Sequence, residues 1–354
     1  MDWREIAHND VPVVDGATTV IIGLTPSRGA RSPLLWDAAF DHLGIPGRMV
    51  PVDCDAASLP DMLGALSADD GVIGGAVTMP HKAAVIPHLA GLSSVASAAG
   101  AVNCLARATG GAVGDRELVG ENTDGIAALR SLERELGSID GARVLLLGAG
   151  GAGSAVAAAV AGALGREGSL VVANRAADAR DALVARLDDA FSADVRAAPG
   201  WPVAVNPPDG AFDVIVNATS LGFQLPVPHA EGWVPARLTS PLTGTDGYPA
   251  LGREEAEAVS AGALGDALAR TVAGTLAWLD TQRDALVMDV IYQPERTLLL
   301  ALAELAGCRT TNGAWMNLEQ AVIAFCTAVP AATGHQVDPD DVRGAMVAAA
   351  EAAA

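Results

Sequence analysis

Lysine is almost missing from this chain: its 354 residues hold 21 arginines and a single lysine, Lys82. Arginine can replace lysine wherever a surface needs positive charge. It cannot do so where an amine must give up its proton, because guanidinium stays protonated in proteins. Basic residues number 22 against 42 acidic ones, a formal charge of −20. So acidic a chain repels phosphate backbones, and without a local basic patch it is not expected to bind nucleic acid. Long apolar runs are missing too: the longest, residues 155–164, falls well short of the ~20 residues a membrane span needs. The opening MDWREIAHND has neither the basic nor the apolar stretch of a secretory leader, so a cytoplasmic protein is expected. Cysteine is confined to Cys54, Cys104, Cys308 and Cys326, far apart and without CxxC spacing or histidines at ligand spacing. Reduced, mostly buried thiols are expected, with no disulfide framework and no metal site.

What is present is enough apolar mass for real cores, 51% hydrophobic residues against 18% charged. A length of 354 suggests two domains. Strands are expected at residues 19–24, 48–52, 72–78 and 101–106, and Ser32-Pro33 opens a helix through Phe40. Lys82 is expected in the first turn of a helix after Met79-Pro80, and a Gly-rich hairpin after residue 106. Residues 125–136 are expected to be helical, with Ile126, Leu129, Leu132 and Leu136 on one face. Strands at 143–147, 169–173, 213–217 and 286–291 alternate with helices at 177–191 and 295–305, the rhythm of βαβ units and a parallel sheet. Residues 221–285 break that rhythm. They suggest an inserted element whose helix carries Leu264, Leu268, Val272, Leu276 and Leu279 as a stripe. Two Ala-rich helices close the chain, the last starting near Asp338-Pro339.

Three groups of residues carry chemistry. RVLLL runs into Gly148-Ala149-Gly150-Gly151-Ala152-Gly153, a GxGxxG between strand and helix, whose glycines let a pyrophosphate approach a positive helix end. The next strand ends in Asn174-Arg175 with no acid before Asp178, which favours a 2′-phosphate, hence NADP over NAD. Lys82 and Asp124 are the candidate acid–base pair, since hydride transfer to a carbonyl needs a proton delivered to the oxygen.

Together these residues resemble the shikimate dehydrogenase family. VTMPHK, ending at Lys82, resembles V-T-x-P-x-K, and AVNCL with Asn103 is similar to A-V-N-T-L. ENTDG resembles N-T-D-G, and DVIVNATSLG at 213–222 is similar to the family's N-A-T segment. DVIYQP at 289–294 resembles D-x-x-Y-x-P, and Gly313 to Gln320 resembles G-x-x-M-x-x-x-Q. The resemblance implies NADP-dependent interconversion of 3-dehydroshikimate and shikimate, a step of aromatic amino acid biosynthesis. It implies catalysis by Lys82 and Asp124, and a cyclic hydroxy acid held by Ser32, Thr78, Asn103, Asp124, Tyr292 and Gln320. The cofactor would meet Gly148, Ala149, Gly150, Gly151, Ala152, Asn174, Arg175, Asn217, Ala218, Thr219, Val290 and Gly313. The implied fold is α/β with two domains: an N-terminal α/β substrate domain (1–124, completed by helices 313–354) and a Rossmann-like, doubly wound NADP-binding domain (125–312, with an insertion at about 225–285). Where the family has S-x-S-P this chain has Ala30-Arg31-Ser32-Pro33, and Ala76 stands where the family has Asn. A paralogue acting on quinate, an amino-shikimate or another cyclic hydroxy acid is therefore an alternative, and a non-catalytic dinucleotide-binding protein a second. The oligomeric state is left open, a homodimer included.

Overall fold

The first strand begins at residue 17 in the computed structural model, which describes residues 2–108, 117–229 and 231–353. The chain divides into two units, Met1–Ala127 with Asn317–Ala354, and Ala128–Met316.

The first unit begins with β1 (Ala17–Gly23), α1 (Ser32–Leu43), β2 (Gly47–Asp53), α2 (Leu59–Ala68) and β3 (Val72–Val77), with β1 parallel to both β2 and β3. There follow β4 (Gly91–Leu92), α3 (Ser94–Ala99), β5 (Cys104–Arg107), β6 (Leu118–Glu121) and the start of α4 (Asp124–Leu136). The sheet order is β2-β1-β3-β5-β6-β4, with β5 antiparallel to β3 and to β6. Residues 109–116, where the Gly-rich hairpin is expected, lie outside the described residues. Val20, Ile22, Val52, Val77 and Leu105 fill one face of the sheet together with Leu59, Met62, Leu63 and Leu66 of α2.

The helix expected around Lys82 does not form. Residues 79–85 are turns leading to a single 3₁₀ turn, Ile86–His88. Pro80 and Pro87 bracket a segment too short to reward helix nucleation, and Pro87 removes an N–H the helix would use. The Lys82 carbonyl instead accepts from the N–H of Val102 at 2.7 Å.

The second unit contains β7 (Arg143–Leu147), α5 (Gly151–Ala163), β8 (Ser169–Ala173), α6 (Ala177–Ala190), β9 (Asp194–Ala197) and β10 (Val214–Asn217). It continues through β11 (Val227–His229), β12 (Gly232–Val234), α7 (Arg253–Ala258), α8 (Ala261–Leu279), β13 (Leu286–Asp289), α9 (Leu298–Ala306) and β14 (Arg309–Thr311). Six of these strands make a wholly parallel sheet in the order β14-β13-β10-β7-β8-β9. Counted along the sheet this is the doubly wound 3-2-1-4-5-6 arrangement, whose order reverses between β7 and β10. The buried runs Val144–Leu147 and Val214–Val216 suit strands covered on both faces.

Residues 221–285 are not wholly an insertion into this plan. Within them, α8 carries the chain from β10 to its parallel neighbour β13, the crossover that a parallel pair requires. Only β11, β12 and α7 stand apart, around a small core of Val234, Tyr248, Leu264 and Ala267. The buried line of α8 is Leu264, Ala267, Thr271, Thr275, Trp278 and Leu279: Leu264 and Leu279 are buried as expected, while Leu268, Val272 and Leu276 are half-buried beside them. In α4 Leu132 is buried as expected, together with Ala127, Ala128 and Ser131, while Ile126, Leu129 and Leu136 are half-buried. In both helices small residues allow close approach and the larger side chains close over the flanks.

The chain then returns to the first unit through α10 (Ala314–Thr333) and α11 (Pro339–Ala352). Asp338 caps α11 by accepting from the Asp340 N–H at 2.8 Å, with Pro339 in the first turn. Phe325 of α10 packs edge-on against Trp36 and Phe40 of α1, ring centroids 5.2 and 4.9 Å apart. Among the described residues no helix is long and apolar enough to cross a membrane.

Candidate active site

Three strand ends of the first unit are stitched together by backbone hydrogen bonds. Val77 N–H donates to the Asn103 carbonyl at 2.8 Å, and Asn103 N–H to the Glu121 carbonyl at 3.1 Å. With the Val102–Lys82 bond, these place the turn after β3 and the entry to α4 on either side of Asn103.

The side chains then converge. Lys82 Nζ donates to Asp124 Oδ2 at 2.5 Å, the lysine side chain 20% exposed and the aspartate 7%. Asn103 Nδ2 lies 2.9 Å from Asp124 Oδ1, 2.9 Å from Thr123 Oγ1 and 3.3 Å from Gln320 Oε1. Its Oδ1 accepts from the Thr123 N–H at 2.7 Å. Two amide hydrogens thus serve three acceptors, and the orientation of the carboxamide is fixed by the backbone donor on its other side. Asn122 Oδ1 accepts from the Asp124 N–H at 3.1 Å, and its Nδ2 donates to the Ala101 carbonyl at 2.8 Å. Thr123 Oγ1 and Gln320 Nε2 donate to the backbone carbonyls of Gln320 and Asn317, at 3.0 and 2.9 Å.

Asp124 therefore has one oxygen on an amide and the other on an ammonium, at the N-terminal end of α4 where the helix dipole favours negative charge. The arrangement holds an amine in one place with a carboxylate to steady its charged form. Such a pair can hand a proton to a developing alkoxide and take it back. His81, next in sequence, is not part of it: its ring is buried and Nε2 donates to the Cys54 carbonyl at 2.7 Å. Burial pushes the Cys54 and Cys326 thiols up to about 11 and raises Cys104 and Cys308 too, so none of the four supplies a thiolate.

Of the residues singled out from sequence, Lys82, Asn103, Asp124 and Gln320 form one hydrogen-bonded cluster. Ser32, buried at the start of α1, and Thr78, half-buried after β3, belong to the same unit, but neither side chain bonds to the cluster. Tyr292 lies in the second unit, half-buried just beyond β13. Thr123 and Asn122 are not among the site residues expected from sequence, although both stand inside ENTDG and each anchors a neighbour of Lys82.

In the second unit the switch point between β7 and β10 is built from close contacts. Gly148 has φ +110°, and a Cβ there would lie 2.9 Å from the Ala218 carbonyl oxygen; one on Gly153 would lie 2.2 Å from the Gly148 carbonyl oxygen. Only glycine lets the loop turn this tightly and lets α5 sit this close beneath it. Gly150, the residue before α5, has open space around it, and the first N–H groups of α5 are those a helix leaves without internal partners. Asn174 Oδ1 accepts from the Ala149 N–H at 3.1 Å and its Nδ2 donates to the Ala176 carbonyl at 3.0 Å, tying the loop to the end of β8 beside the exposed Arg175. Gly151 and Ala152 form the first turn of α5. A pyrophosphate fits this geometry, and Arg175 suits a further phosphate.

Asn217, Ala218 and Thr219 leave β10 in a closed turn: Asn217 Oδ1 accepts from the Thr219 N–H at 2.9 Å and from its hydroxyl at 2.7 Å. Val290 N–H donates to the Asn217 carbonyl at 2.9 Å, and Gly313 N–H to the Ile291 carbonyl at 3.1 Å. These residues thus stand side by side at the ends of neighbouring strands. Asp289, fully buried between them, is marked in the sequence only as the first residue of a motif. Burial pushes its carboxyl up to about 7 against hydrogen bonds from Thr297, Ile291 and Asn217 that pull it down.

Comparison with known proteins bears on the family of the chain. The family model for the shikimate dehydrogenase substrate binding domain matches residues 21–105. A shikimate dehydrogenase (NADP(+)) of Thermococcus kodakarensis is 32% identical over 331 residues, covering 92% of this chain and 94% of the relative. Among solved structures, the shikimate 5-dehydrogenase of Thermus thermophilus in complex with NADP(H) and shikimate has a TM-score of 0.62 at 24% identity, covering 94% of this chain and 99% of that one. The ligand-free 5-ketofructose reductase of Gluconobacter sp. strain CHM43 has a TM-score of 0.61 at 26% identity, with the same coverage of 94% and 99%.

Proposed function

This chain belongs to the shikimate dehydrogenase family, and we propose that it interconverts 3-dehydroshikimate and shikimate with NADP(H). The observation that carries this reading is the 2.5 Å contact of the chain's one lysine with Asp124, held in a cluster with Asn103 and Gln320. When bound, the nicotinamide cofactor would supply hydride for reduction and accept it in oxidation.

The chain's own residues bind the substrate, orient it and move the proton. Lys82, as an ammonium, donates from Nζ to the substrate oxygen while hydride reaches the carbon it is bonded to. In the reverse direction the amine takes that proton back. Asp124 keeps Nζ in position and steadies its charged form, and Asn103 prevents the carboxylate from turning away. Asn103, Asp124 and Gln320 offer both donors and acceptors to ring hydroxyls, while Ser32 and Thr78 position the carboxylate end. The loop from Gly148 to Ala152 and the first turn of α5 would hold the pyrophosphate, with Asn174 shaping the loop and Arg175 available to the 2′-phosphate. Asn217, Ala218, Thr219, Val290 and Gly313 line the nicotinamide end. A cytoplasmic setting goes with this reading, since all four cysteines are free.

The test is an initial-rate panel in which NADP and NAD are each offered shikimate and quinate. Shikimate with NADP is expected to give the highest kcat/KM. Faster turnover of quinate, or of shikimate with NAD, contradicts this assignment.

A further inference from the structure

Asp289 is fully buried at the end of β13, and among the described residues no cation pairs with it. A buried carboxylate without a counter-charge is costly, and a serine or an amide could accept hydrogen bonds there more cheaply. What a carboxyl group offers is two oxygens, of which the one without a proton only accepts. Both are used. Oδ1 takes Asn217 Nδ2 at 2.9 Å and the Ile291 N–H at 3.0 Å; Oδ2 takes the Thr297 hydroxyl at 2.7 Å.

These bonds fix more than themselves. Because Asp289 Oδ1 already takes two donors, a proton on this carboxyl can sit only at Oδ2; Oδ1 accepts in either state, and the Asn217 carboxamide must present its NH₂ inward, where it also reaches the Leu221 carbonyl at 3.1 Å. Its oxygen is then left for the N–H and hydroxyl of Thr219, and the Thr219 hydroxyl accepts from the Leu221 N–H at 3.1 Å. Thr297, buried as well, serves twice, since its Oγ1 also accepts from the Leu300 N–H at 3.3 Å and so caps α9. One side chain thereby sets the turn 217–221, the segment leading to Tyr292 and the start of α9.

We propose that Asp289 is a positioning residue for the cofactor: its Oδ1, an acceptor in either protonation state, fixes the polarity of Asn217, and with it the shape of the two loops at the nicotinamide end. This rests on the NADP-dependent function proposed above. The raised carboxyl pKa follows from the same burial.

The test compares Asp289→Asn and Thr297→Val with wild type, measuring NADPH affinity by fluorescence titration and the KM for shikimate by initial rates. Asparagine keeps the shape but can donate, so Asn217 is free to turn over. Its NADPH Kd is expected to rise about tenfold, the cost of one or two mispaired buried groups, with the shikimate KM unchanged. Thr297→Val removes one donor and is expected to raise the Kd about threefold. A folded Asp289→Asn whose Kd rises less than about threefold, or whose shikimate KM rises in step, overturns the proposal. If Asp289→Asn does not fold, Thr297→Val decides, a rise below about twofold being the overturning result. Wild-type protein that fails to bind NADPH defeats the functional reading first, and is told apart because no variant is needed to see it.

Discussion

Lys82 Nζ and Asp124 Oδ2 lie 2.5 Å apart although 42 residues separate them in the chain. The bond spans two elements, the turn after β3 and the first residue of α4, and Asn103 stands between these segments holding the other carboxylate oxygen. A single amine in a chain otherwise served by arginine is thus placed against a carboxylate whose remaining freedom has been removed.

Lys82→Ala is expected to lower kcat by about 10²–10⁴ while leaving NADPH binding intact, the range for loss of a positioned proton donor. Lys82→Arg is expected to rescue little, since a guanidinium keeps its proton and its fork cannot occupy the position of one Nζ. Steady-state kinetics beside a fluorescence titration separate the two effects.

Asn103→Ala leaves Asp124 Oδ1 and the Thr123 N–H without partners. The expected loss is ~1–3 kcal/mol of stability, together with a lower kcat because the carboxylate can turn. Chemical denaturation and initial rates on the same preparation check both.

These relationships are legible in the sequence to different depths. The strand positions, the glycine loop and the identity of Lys82, Asn103 and Asp124 follow from motif and hydrophobic pattern, because strand cores and glycine turns are local requirements. The turn around Lys82 does not follow, because its conformation depends on Pro87 five residues later and on a carbonyl captured by Val102. The buried faces of α4 and α8 coincide with those expected only at Leu132, Leu264 and Leu279, because the alanines and threonines at the other close contacts carry no strong hydrophobic signal. The role of Asp289 is hidden: nothing in its neighbours along the chain reveals that Asn217 and Thr297 will meet it. Its one cue is an acid closing an otherwise apolar strand.

Asp289 also makes stability depend on pH. Its carboxyl titrates near 7 in the folded chain, against about 3.9 unfolded, so between these values the native state holds the extra proton. Stability from this group is present at low pH and is lost progressively as pH rises through that window. Asp289→Asn, which cannot ionise, is expected to gain melting temperature relative to wild type as pH goes from 5 to 8. A gap that stays constant, or moves the other way, contradicts the sign.

Gly153→Ala would place a methyl 2.2 Å from the Gly148 carbonyl oxygen, so α5 must move away from the loop. NADPH affinity is expected to fall by at least about tenfold. Arg175→Ala is expected to lower kcat/KM with NADP by about ten- to a hundredfold while leaving NAD nearly unchanged, because only the 2′-phosphate loses its partner. Fluorescence titration checks the first, and initial rates with each cofactor the second.

The most direct measurement is the rate of NADPH oxidation by purified protein given 3-dehydroshikimate, with Lys82→Ala run beside it and NADPH binding confirmed for both. Rapid oxidation by wild type, reduced by at least about a hundredfold in the variant, is the predicted result. Equal rates in the two proteins, or none in a wild type that binds NADPH tightly, would contradict the assignment of Lys82 and Asp124 to proton transfer on this substrate.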